Sequence, residues 1–287
     1  MGRSFFDRRD GVRVKSGGFE KFWCTLKPRR SENEVCILKD LDVTELKKYL
    51  EKKKKDDEKI TYFHVFSTAF AKVIYNKPLL NRFVINKSYY DRYDVSMAFV
   101  AKTAFTDEAK ELLTVLKVDN DDNINTLSEK IRGDVKKIRS NQVNDTDDFI
   151  DKLKILPKWL MSLVVFIVRI LDNHDLLPKS LTKNSIYHST VLLSNLGSIK
   201  CDGIYHNLTN FGTTSIVVTM GEVRREDKII DGKSNERYLC KFGITLDERI
   251  ADGVYFAKCI NLLQYIFNNP ELLEDDVDAK VVITEDK

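Results

Sequence analysis

The residues best equipped for chemistry stand near the C-terminus, in Asp247-Glu248-Arg249-Ile250-Ala251-Asp252-Gly253. Two carboxylates, Glu248 and Asp252, share this short turn between a strand-like and a helix-like run. Ionisable groups so placed either pair with a cation, here Arg249 or an arginine of the N-terminal arm (Arg8, Arg9, Arg13), or move protons. A hydroxyl, Ser194, ends a second strand-like run, Val-Leu-Leu-Ser-Asn-Leu-Gly at 191–197. The four histidines add ring nitrogens. His64 falls on an apolar helix, His174 in a polar turn, His188 at the start of the Ser194 strand, and His206 in a loop beyond it.

Other chemistries lack their residues. No G-x-x-x-x-G-K-[ST] or G-x-G-x-x-G pattern offers backbone amides to a phosphate. Ser194 has no G-x-S-x-G context for a strained nucleophile turn. Asp119-Asn120-Asp121-Asp122 lacks the glycine and glutamate spacing of a calcium loop and reads as solvated. Five cysteines stand singly, which argues against a zinc site or a disulfide framework and implies reduced thiols in the cytoplasm. No metal is expected.

The elements that must position these groups alternate in type. A strand over 34–41 precedes a helix read as capped by Asp42 with Glu45 completing a capping box. Phe63, Phe66, Phe70, Val73 and Ile74 recur at helical spacing until Pro78. A hairpin is predicted at Asn86-Lys87, then strands at 93–103 and 110–118, and an amphipathic helix on Leu127, Ile131, Val135 and Ile138. Tyr238, Cys240, Phe242, Ile244 and Leu246 alternate as a half-buried strand, and Phe256, Cys259, Ile260, Leu263 and Phe267 stripe a last helix ended by Pro270. Residues 1–33 read as basic and irregular. With 43% hydrophobic residues there is ample core, and the mixture of strands and helices predicts a single α/β domain over 1–287.

Charge is nearly balanced, 47 basic against 44 acidic residues, so no basic field points to nucleic acid. The N-terminus has no apolar core of a secretory signal. The run at 159–171 is too short to span a bilayer, which needs about 20 apolar residues. A buried or oligomer-facing helix is favoured there over a membrane-surface contact.

Two motifs together carry a resemblance. "VLLSNLG" and "LDERIADG", the latter followed by a helix and Asn269-Pro270-Glu271-Leu272, are similar to the catalytic domain of the dihydrolipoyl acyltransferases of 2-oxoacid dehydrogenase complexes. The earlier stretch 40–84 follows the same order of strand, helix, threonine-started helix and Pro-Leu-Asn segment. The resemblance covers 28–140 and 186–275. It leaves an N-terminal arm (1–27) and an insert at 141–185 with the apolar helix. It implies a chloramphenicol acetyltransferase-like two-layer sandwich, a mixed sheet covered by helices. It also implies a homotrimer with active sites between subunits, and a channel for coenzyme A or another acyl thioester. The family's lipoyl and subunit-binding domains are not expected here.

Carried over, Ser194 takes the oxyanion-steadying hydroxyl, Asp252 the acidic organiser and Gly253 the helix-opening glycine. Glu248 stands where the family has a histidine base. Moving a thiol proton (pKa about 8.5) to histidine is uphill by about 2 units, roughly 2.7 kcal/mol, and to an ordinary glutamate by about 4, roughly 5.7 kcal/mol. His206, in the loop that lines the family's channel, is therefore the second candidate base. Two readings stand: a stand-alone CoA-dependent acyltransferase, or a trimeric scaffold or ligand-binding protein that has lost the reaction.

Overall fold

The computed structural model describes residues 7–56, 58–102, 111–139, 156–230 and 233–283. Strand β1 (Gly11–Arg13) and helix α1 (Gly18–Leu26) come first, then β2 (Glu34–Asp42), α2 (Thr44–Lys55) and α3 (Tyr62–Asn76). The hairpin β3 (Arg82–Ile85) and β4 (Ser88–Arg92) leads to β5 (Val95–Lys102), β6 (Glu111–Val118) and α4 (Ile124–Arg139). After α5 (Lys158–Asn173) and the short α6 (Lys179–Lys183) run β7 (Val191–Asn195), β8 (Ile216–Ile230), β9 (Lys233–Asp247) and α7 (Gly253–Asn268).

Six strands form one mixed sheet in the order β2-β9-β8-β7-β5-β6, with β7 parallel to both of its neighbours. A smaller antiparallel sheet, β1-β4-β3, sits apart from it. Along β9 the side chains change face at every residue. Cys240, Phe242, Ile244 and Leu246 are buried against helical side chains such as Phe66, Phe256, Leu263 and Phe267. Phe66 meets both Phe242 and Phe267 at centroid distances of 5.1 and 5.5 Å, so α3, α7 and the sheet share one aromatic knot. This is the expected mixed sheet with helices on its face.

The structure corrects several expectations. The arm is ordered in part: β1 pairs with β4, and α1 buries Cys24 against Val84 and Tyr89. A three-residue strand has no periodicity of its own and exists only through that distant partner. Helix α2 begins at Thr44 after Val43, while Asp42 accepts a hydrogen bond from the Thr44 amide at 2.9 Å; no Asp42–Glu45 capping box forms. Asn86 and Lys87 both take positive φ, as the predicted two-residue hairpin requires. His188, expected at the start of the Ser194 strand, lies instead in a 3-10 turn over Ile186–His188, and the strand starts at Val191. The polar break at 142–148 and the Ile138 side chain lie outside the described residues.

Helix α5 is not buried within the chain. Trp159 (71% exposed), Leu163, Phe166 (61%) and Ile170 form a bare apolar stripe along it. No helix among the described residues is long and apolar enough to cross a membrane.

Candidate active site

The turn after β9 is built on a buried charge cluster. The Asp247 carboxylate is fully buried and takes two hydrogen bonds from the Arg249 guanidinium, at 2.8 and 2.6 Å. Arg30 stands 3.7 Å from the same carboxylate and donates to the carbonyls of Thr209, Val84 and Gly212. Arg249 also reaches the carbonyls of Lys27 and Pro28, which fastens the arm to the turn. For Arg249, burial works against the charged form, but Asp247 more than reverses it and raises the guanidinium pKa.

Glu248 therefore does not pair with Arg249, nor with Arg8, Arg9 or Arg13. Its amide donates to the Asn33 carbonyl at 2.9 Å, and its carboxylate faces Lys27 at 3.7 Å, with both side chains more than one-third exposed. Asp252 is the N-cap of α7, its Oδ1 accepting from the Tyr255 amide at 2.7 Å. Glu248, Asp252 and Gly253 share a cleft of about 570 Å³ with Lys15, Phe19 and Trp23 from the arm.

Ser194 lies elsewhere. It pairs in register with Thr219 on β8, and Thr219 with Gly243 on β9. Leu193 is in the helix-covered core, so Ser194 projects from the opposite sheet face, and its hydroxyl has no hydrogen-bond partner among the described residues. Glu248 follows Gly243 by five residues, so strand rise and spacing separate Ser194 from Glu248 of the same chain by roughly 20 Å. One chain does not bring them together.

The 201–210 segment crosses that outer face beside Ser194. The Ile204 amide donates to Thr219 Oγ1 at 2.9 Å, and the Leu208 amide to Glu34 at 2.8 Å. Gly243 permits this approach, because a Cβ there would lie 2.0 Å from the Ile204 carbonyl oxygen. Sequence reasoning missed this glycine. Its signal was a glycine in the outward-facing phase of β9, since a glycine inside a strand marks close backbone approach.

His206 rides on this segment, exposed, with Nδ1 2.9 Å from the Asn207 carbonyl. A carbonyl only accepts, so Nδ1 carries the proton and Nε2 is left as the basic nitrogen. His64 is structural: its Nδ1 accepts from the Thr61 amide at 3.1 Å, and burial pushes its pKa down to about 4. His188 does more than pack: it pairs with Asp172 at 2.9 Å.

Residues 173–274 match the family model described as 2-oxoacid dehydrogenases acyltransferase (catalytic domain). No curated protein sequence matches the chain. Among solved structures, a probable dihydrolipoamide acetyltransferase from Listeria monocytogenes 4b F2365 has a TM-score of 0.59 at 15% identity, covering 89% of this chain and 94% of that one. A truncated catalytic core of the 2-oxoacid dehydrogenase multienzyme complex from Thermoplasma acidophilum gives 0.57 at 14% identity, covering 90% and 98%. A chloramphenicol acetyltransferase gives 0.56 at 11%, covering 90% and 99%. The chain has the fold of these proteins, and the resemblance carried by the Ser194 and Glu248 motifs is borne out.

Proposed function

We propose that this chain, bearing the acyltransferase catalytic-domain pattern over 173–274 on the full fold, acts as an acyl-CoA-dependent acyltransferase whose sites are completed between copies. The observation that carries this reading is the position of Ser194. Its hydroxyl is unengaged on the outer sheet face, roughly 20 Å from Glu248 of its own chain, and so available to another copy's turn. Exposed apolar groups close to it, Leu38 across from Gly243 on β2 and Ile199 and Ile204 in the adjoining loops, favour a covered face, and a homotrimer covers it.

In the reaction the acceptor's nucleophile loses its proton to a base and attacks the thioester carbonyl carbon. Ser194 donates a hydrogen bond to the resulting oxyanion, and collapse expels the coenzyme A thiolate, which recovers the proton. Asp252 acts indirectly, by fixing the start of α7 beside the site. His206, with Nε2 basic and exposed, is better suited to the proton step than Glu248, whose carboxylate is engaged by Lys27. The five unpaired thiols fit a cytoplasmic setting.

The Glu248–Lys27 pair favours a second reading, a trimeric scaffold that keeps the fold without the reaction. Turnover of an acyl-CoA series by the wild type, His206→Ala and Glu248→Gln separates the two. Loss on His206→Ala with activity kept in Glu248→Gln supports the enzyme as proposed. No turnover of any acyl-CoA by the wild type supports the scaffold.

A further inference from the structure

A second cleft, of about 420 Å³, opens at the ends of β5 and β6 near α6, away from the Glu248 turn. Arg8, Arg9, Arg92, Lys117, Lys179 and Lys183 line it, against three carboxylates, Asp10, Asp94 and Asp175. Six cations against three anions leave a local excess of three positive charges, as large as the net charge of the entire chain. Arg8 is held by Asp10 at 2.9 Å with Asp172 and Asp175 within 4 Å, Arg9 by Asp175 at 2.9 Å, Lys117 by Asp94 at 3.0 Å, and Arg92 by the carbonyls of His188 and Thr213. Lys179 and Lys183 have no ion-pair partner among the described residues.

His188 also lines this cleft, with only 5% of its side chain exposed. Behind it Asp172, 4% exposed, accepts from His188 Nε2 at 2.9 Å and from the Gly212 amide at 3.1 Å. The Asp172 carboxylate thus fixes the ring orientation and places a proton on Nε2. That leaves Nδ1, which is buried and has no hydrogen-bond partner. A buried ring nitrogen without a partner has lost its water and gained nothing in return, so it points to a ligand group that completes it.

We propose that this cleft binds a phosphate-bearing small molecule, with the phosphate between Lys179 and Lys183 and a hydroxyl of the ligand donating to His188 Nδ1. The chemistry fits on both sides. A phosphate dianion takes charge-assisted hydrogen bonds from ammonium groups, and a protonated oxygen supplies what the Nε2-protonated ring lacks. The reading is independent of acyl transfer, because none of Ser194, His206, Glu248 and Asp252 lines this cleft.

Calorimetric titration of the full chain at constant ionic strength tests it, with inorganic phosphate, glycerol phosphate and sodium chloride as ligands. Saturable binding of either phosphate and none of chloride is expected. The better ligand of the two tells whether free phosphate or an organic monoester is the source. Lys179→Glu combined with Lys183→Glu should weaken binding by about tenfold or more, since two like charges then face the dianion. Both lysines are exposed, so the fold is not at stake. The ring 15N resonances of His188 should report Nε2 protonated and should shift at Nδ1 on binding. Binding that the double reversal leaves unchanged, chloride binding of equal strength, or a silent His188 ring overturns the proposal.

Discussion

Asp247, not Glu248, is the partner of Arg249, and the two are held by hydrogen bonds of 2.8 and 2.6 Å in a place where neither touches water appreciably. Removing one member of such a pair leaves a buried charge without compensation, which costs about 3–5 kcal/mol. Asp247→Asn should therefore lower unfolding stability by about that amount, with Arg30 and Arg249 both stranded. Urea denaturation checks it. A loss below about 1 kcal/mol would place the cluster in the class of exposed pairs instead.

Glu248 and Lys27 make the opposite case. Both side chains are more than one-third exposed and stand 3.7 Å apart. A solvated pair contributes about 0–1 kcal/mol. Glu248→Gln should shift the urea midpoint hardly at all, so any change in turnover of that variant reports on chemistry and not on folding.

Acid should weaken the fold through His64. Burial lowers its pKa from 6.5 to about 4. Between those values the unfolded chain takes up a proton that the folded chain refuses, so stability falls as pH falls from 6.5 towards 4. The contribution is full above 6.5, and the total loss is about 3 kcal/mol. His64→Gln retains an acceptor for the Thr61 amide and should remove this part of the slope. Stability profiles of the two proteins from pH 7 to 4 decide it.

Gly243→Ala should push the 201–210 segment off the sheet. The new methyl would lie 2.0 Å from the Ile204 carbonyl oxygen, a contact that only backbone movement relieves. A cost of about 1–3 kcal/mol is expected, as for overpacking elsewhere. Faster exchange of the Ile204 amide, now bound to Thr219 Oγ1, would show where the strain went.

Much of this was legible in the chain. The alternation from Tyr238 to Leu246 and the stripe from Phe256 to Phe267 dictated β9 and α7, because each periodicity matches one face of one element. The Asp252-Gly253 signal for the start of α7 also held. What escaped depends on partners distant in sequence. The strand β1 exists through β4, the buried Asp247 carboxylate that takes Arg249 is also faced by Arg30 from far up the chain, and Asp172 meets His188 across a folded insert. Pattern reading saw the apolar character of α5, but its exposure depends on what covers the face, and the covering of a face is a property of the assembled fold.

Ser194, whose unengaged hydroxyl stands on the outer sheet face, is the proposed donor to the oxyanion. The measurement is steady-state acyl transfer from the acyl-CoA that the wild type uses best, wild type against Ser194→Ala. Loss of one oxyanion donor lowers kcat by about 10²–10³-fold, and that drop is predicted here with KM for the acyl-CoA nearly unchanged. Turnover by Ser194→Ala equal to that of the wild type would contradict the account.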